Sequence, residues 1–168
     1  MSVFAAIWWA FGVRLSGPSG ALRYAVPMAV AGLLVIMALR SRRGDPPLSP
    51  EEDARRGRLV GIASAAEGIA ILIGVNVLAN VGLRDYTAPV IALIVGAHFL
   101  PLAHSLPAQP YYWTAALLML IGLVGLALPD ADARRTFVSG AAAITLWLTS
   151  ALIVARLRAS VDAARRVA

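Results

Sequence analysis

Five apolar stretches separated by short polar connections dominate this sequence: Ala21 to Leu39, Leu59 to Leu83, Tyr86 to His104, Tyr112 to Leu128 and Thr136 to Ala155. Each is long enough, or nearly so, to cross a hydrocarbon core of roughly 30 Å at a helical rise of about 1.5 Å per residue. Apart from Arg23 and Glu67, the charged residues fall between these stretches rather than at helical or strand spacing within them. Loops stay wet and spans dry in this way. With 60% hydrophobic and 14% charged residues, the chain lies well outside the range of water-soluble domains. The expected fold is therefore all-α: an integral membrane helical bundle, with residues 1–168 forming a single transmembrane domain.

The number of spans turns on the first apolar stretch, Val3 to Leu15, which is short. It crosses if Arg14 snorkels to the surface, or it lies along the interface with Trp8 and Trp9 at headgroup depth. Ser16-Gly17-Pro18-Ser19-Gly20 is a tight turn suited to an antiparallel hairpin and favours crossing, which gives six transmembrane helices, or five if the first segment is interfacial. Met1 to Phe11 carries no charged side chain and is read as a retained segment rather than a cleaved signal. In the six-span arrangement, the connection from Arg40 to Arg58 holds six arginines and the tail from Arg156 four, against five on the opposite side. The positive-inside rule then puts both termini in the cytoplasm, N-in and C-in.

Residues 41–58 form the longest connection, on the cytoplasmic side, and 156–168 a basic cytoplasmic tail. In that connection Ser49-Pro50-Glu51-Glu52 supplies an N-cap serine, a proline at the first helical position and a glutamate at the third, the pattern of a capping box. Glu51 with Arg55 and Glu52 with Arg56 have the spacing of stabilising i,i+4 pairs. The third helix is thus expected to begin at Pro50 and to be the longest of the six. Pro107 and Pro110 bracket a short turn, and Asp130 or Asp132 can cap the sixth helix.

Glu67 is the most informative residue. It falls near the centre of the third span, where a charged carboxylate costs at least ~2.5 kcal/mol. An apolar setting favours the neutral acid, so such a group can take up and release a proton or exchange it for a cation. The plainer alternative is a neutral acid that hydrogen-bonds a neighbouring helix. At about 100° per residue, Ala63, Ser64, Ala70, Ile71 and Gly74 share the side of Glu67, whereas Asn76 and Asn80 lie on another face. A helix polar on two faces is expected at the centre of the bundle, with Asn76 and Asn80 tying helices together. His98 falls at a similar depth in the fourth span and is the candidate partner of Glu67 in a proton relay. Its alternative role is a bond to a backbone group, Pro101 having removed the amide that would serve the carbonyl of Ala97.

Other polar and aromatic positions fit structural roles. Tyr111, Tyr112 and Trp113 are expected to anchor the fifth helix at the interface. Thr145 and Thr149 form a polar stripe on the sixth, either between helices or bonded to their own backbone. Trp147 is mid-span, a packing or cavity residue. His98 and His104, six apart, do not share a helical face as a metal pair would, and no metal is expected.

No cysteine is present, which removes thiolate chemistry and disulfides. No phosphate loop, HExxH, acidic metal cluster or nucleophile elbow occurs, so no cofactor is expected and an enzyme is disfavoured. The net charge of +6 comes without aromatic–basic interleaving or a basic recognition helix, so nucleic acid is not an expected partner. The expected partners are the lipid bilayer, a proton or small solute, and a second copy or another membrane protein.

Ala66-Glu67-Gly68, the run from Gly96 to Ala103, and Pro110-Tyr111-Tyr112-Trp113-Thr114 together resemble a pattern in small bacterial membrane proteins of uncharacterised function. The resemblance covers helices three to five, about half the chain. It implies a multi-pass protein of the bacterial inner membrane and no activity. Three functional expectations stand in order: a proton-linked secondary transporter or permeation protein using Glu67 and His98; a non-catalytic scaffold, accessory or sensor subunit; and an enzyme acting on lipid or isoprenoid.

Overall fold

The computed structural model describes residues 2–12, 20–42, 49–105 and 109–167. Within them the chain is all-α, with six helices: α1 (Ser2–Gly12), α2 (Gly20–Arg42), α3 (Pro50–Asn80), α4 (Thr87–Ser105), α5 (Pro110–Ala127) and α6 (Ala131–Val167), and a 3₁₀ turn at Arg84–Tyr86 between α3 and α4. Four segments are long and apolar enough to cross a membrane: Pro50–Asn80, Arg84–Ser105, Pro110–Ala127 and Ala131–Arg156. The turn expected at 16–19, Arg14, and Pro107 lie outside the described residues.

Local chemistry sets the helix ends. Ser49 Oγ accepts the amide of Glu52 at 3.2 Å and starts α3 at Pro50, as the capping pattern predicts. Asp130 Oδ1 accepts the amide of Ala133 and does the same for α6. At the other end of α3, Gly82 adopts φ 77° and the Leu83 amide bonds the carbonyl of Leu78 at 2.8 Å, a Schellman closure that needs a residue free of a Cβ. The pairs Glu51–Arg55 and Glu52–Arg56 do not close; the ion pairs among the described residues are His98–Glu67 and Arg135–Asp132. Exposed side chains lose little by staying solvated. Nor is α3 the longest helix: it has 31 residues against 37 in α6, because the Ala- and Arg-rich end of the chain, strong in helix propensity, prolongs α6 past its apolar part.

The core lies where α4, α5, α6 and α1 meet, around Val95, Phe99, Leu118, Val138, Leu146 and Ala5. Small residues allow the close approach. A Cβ on Gly96 would stand 3.1 Å from the carbonyl of Ala115, and one on Gly122 2.9 Å from that of Pro89. These contacts, with Phe99 on Tyr111 at 5.7 Å, show α4 and α5 running antiparallel along their whole length. Similarly, Gly125 meets Val138 at one end of the α5–α6 pair and Thr114 meets Thr149 at the other. The first helix packs lengthwise on α6, Gly12 against Ser139 and Trp9 against Trp147 at 5.8 Å, with Ala5, Ala6 and Trp8 buried. It is a helix within the bundle, not one laid over its surface. Outside this core, α2 packs on α1 and α6, and α3 packs on α4 and the 3₁₀ turn.

The expectation that α3 is central is therefore corrected. None of its residues is fully buried, and Ile62, Ile69, Leu72 and Ile73 are each more than half exposed. Of its two polar faces, only that of Glu67 meets a protein neighbour, α4; Asn76 and Asn80 on the other are exposed.

Candidate functional site

The face of α3 that meets α4 carries Ala63, Glu67, Ile71 and Gly74, at the i, i+4 and i+3 steps that share a side of a helix. Gly74 lies against Val90 and Ile94 of α4, where even a Cβ would find ordinary contact at 3.4 Å. Half-way along this seam His98 reaches from α4. Its Nδ1 is 3.1 Å from the carbonyl oxygen of Ala63 and 3.6 Å from Glu67 Oε2. A carbonyl can only accept, so Nδ1 carries the hydrogen and donates it to Ala63. The carboxylate lies just beyond hydrogen-bond reach, in electrostatic contact with the ring. Both side chains are nearly enclosed, His98 10% and Glu67 13% exposed. His98 thus stands beside Glu67 and also binds backbone, at Ala63 of α3.

These two residues line a cavity of about 450 Å³ between α1, α3, α4 and α6, reaching Tyr111 at the start of α5. Apart from the pair, its walls are Phe4, Val60, Ile71, Phe99 and Leu146, with Ser64 and Tyr111 adding hydroxyls. A mostly apolar pocket with a few convergent polar groups is the usual form of a small-molecule site. The pair can hold or pass a proton, and the acid alone can meet a cation.

The remaining candidates are placed as follows. Asn76 is exposed and donates to the carbonyl of Leu72 in its own helix at 2.8 Å, and Asn80, also exposed, ends α3. Thr145 donates to Ala141 of its own helix. Thr149, by contrast, meets Thr114 Oγ1 of α5 at 2.6 Å and also lies 2.8 Å from the carbonyl of Thr145. Each hydroxyl has one hydrogen, so one of the two threonines directs it at the other and the contact ties α5 to α6. Tyr112 and Trp113 point outward, 46% and 73% exposed. Tyr111 instead turns in against Phe99 and the cavity, as successive side chains 100° apart on a helix cannot share one direction. Trp147 packs on Trp9, with its indole Nε1 buried and without a partner.

Sequence reasoning missed Arg134. There it entered only the count of arginines by side; it is 3% exposed, donates through Nε to the carbonyls of Gly125 and Leu128, each at 3.2 Å, and lies 3.9 Å over the ring of Tyr86. The signal was available: the last carbonyls of α5 have no intrahelical donor, and a cation at the start of the next helix can supply one.

A family model matches residues 52–156, from the start of α3 through the apolar part of α6. The chain belongs to DUF7010, a family of unknown function. No curated protein and no solved structure matches it. The DUF7010 match takes in Glu67, His98, Tyr111 and Arg134, and so holds the α3–α4 seam, but not Phe4 of α1.

Proposed function

We propose that this DUF7010 protein is a small multi-pass protein of the bacterial inner membrane that moves protons, alone or in exchange for a small solute, through the Glu67–His98 pair. The observation that carries this reading is the placement of an acid and an imidazole 3.6 Å apart, both nearly enclosed, in the wall of a cavity large enough for a small molecule. Placing an ionisable group inside a span is costly and is repaid where the group works. In the proposed arrangement, six helices enter the bilayer, both termini and residues 41–58 are cytoplasmic, and the nearly enclosed pair lies near mid-membrane.

In the proposed cycle, Glu67 takes a proton from water in the cavity and the ring of His98 stabilises its ionised form when the proton leaves. Because Nδ1 is engaged with Ala63, a second proton on the ring enters at Nε2. Glu67→Gln keeps the size and hydrogen-bonding of the acid but cannot titrate. In proteoliposomes it is expected to lower proton flux at least tenfold, and pH-difference infrared spectra of the wild type are expected to show a carboxyl band that Glu67→Gln lacks.

A second reading is favoured by the uncovered face of α3, on which Ile62, Ile69 and Leu72 stand exposed: a non-catalytic accessory subunit whose third helix receives another membrane protein. Unchanged flux in Glu67→Gln, with the same membrane partner retained at constant stoichiometry, would decide for it.

A further inference from the structure

A second cavity, of about 360 Å³, lies further along the same cleft. It occupies the end of the bundle where α4 and α6 begin, with Arg84, Asp85 and Arg135 among its lining residues and Ile7, Trp8 and Ala88 deeper in. The cavity at Glu67 extends instead toward the end where α5 begins, past Leu102 to Tyr111. Two residues line both: Phe4 of α1 and Ile71 of α3. They come from the two helices that flank the cleft, whose floor is formed by α4 and α6. Ile71 lies one helical turn from Glu67, on the same face.

We infer that the two cavities are the halves of one path along the cleft, and that Phe4 and Ile71 form the apolar barrier that closes it beside Glu67. The inference rests on the reading of the protein as a permeation protein. The chemistry suits a barrier: the two side chains that line both cavities are apolar and give water and ions no hydrogen-bonding partner, and an apolar constriction excludes both by dewetting. Each half has polar groups to hold water, Ser64, Glu67 and His98 on one side and Arg84, Asp85 and Thr87 on the other. Phe4 is 40% exposed and Ile71 half-buried, so these side chains have room to move that core residues such as Leu118 lack. A solute or proton passing from the second cavity to Glu67 passes between them.

The chain has no cysteine, so single thiols report without background. Ser64→Cys marks the cavity at Glu67 and Ala88→Cys the other. With a membrane-impermeant maleimide applied to one face of sealed vesicles at a time, the two thiols are expected to react from opposite faces. Adding Phe4→Ala or Ile71→Ala to Ser64→Cys is expected to raise its labelling at least fivefold from the face that labels Ala88→Cys, while Phe4→Trp leaves it blocked. Gel filtration and thermal unfolding of each variant identify those that fold, and the two alanine variants test the barrier separately. Labelling of both thiols from one face, labelling of neither from any face, or no change with either alanine in a folded protein would overturn the inference. The readout does not use Glu67, so loss of flux in Glu67→Gln and failure of the barrier are separate results.

Discussion

Arg134 carries its charge into the bundle without a carboxylate to meet it; carbonyls at the end of α5 and the face of Tyr86 take that place. Hydrogen bonds from a charged donor each contribute more than neutral ones, and acceptors left behind unpaired carry a desolvation cost. Replacing Arg134 by Met is expected to cost about 2 to 3 kcal/mol, read as a fall in the thermal unfolding midpoint in detergent. Lysine will not restore it, because an ammonium lacks the planar fork that serves several carbonyls at once. At this scale the sequence was partly legible. A carboxylate inside an apolar run announces itself, and the depth of His98 follows from counting residues. The bond from His98 to Ala63 was not legible, since it depends on the rotation of α4 about its axis. Arg134 was hidden because an arginine at a span's end was read only as a signal of topology.

Helix boundaries followed from apolar length and capping residues, because both act within a few residues of chain. Packing between helices depends on distances of a few tenths of an ångström and could not be read that way. The glycines show the difference. Gly122 faces the Pro89 carbonyl and the side chain of Leu93, whereas Gly61 has nothing within 4 Å of where a Cβ would sit. The two are predicted to differ in sign when changed to alanine: Gly122→Ala forces α4 and α5 apart at a cost of about 1 to 3 kcal/mol, while Gly61→Ala leaves stability unchanged or raised. Thermal unfolding of the pair measures this directly, and an equal loss in both would contradict the packing described. The same limit explains α6. Its apolar part, read from hydropathy as Thr136 to Ala155, falls within the apolar segment Ala131–Arg156, but helix continues wherever propensity permits, beyond the point at which hydropathy falls.

For the whole molecule, the proposed arrangement, argued from the arginine bias, has the chain termini and residues 41–58 on one side and the α5–α6 connection on the other. Small reporter tags at residue 45 and after residue 168 are expected to be protected in intact cells, and a tag at residue 130 exposed to an external reagent. A tag at 45 found on the side opposite to the one after 168 would rule out the six-span arrangement. The position of α3 was the element of the plan least legible from sequence. Glu67 requires a protein neighbour, but that requirement does not say how many neighbours the helix has. In the structure it has one principal neighbour, and the contacts with it, from Ala63 and His98 to Gly74 and Val90, follow a single line. A helix wedged between several others cannot shift without disturbing all of them, whereas α3 is hung like a door from one post. Swinging it about α4 would leave the rest of the bundle closed, and the Glu67–His98 pair sits on the hinge line.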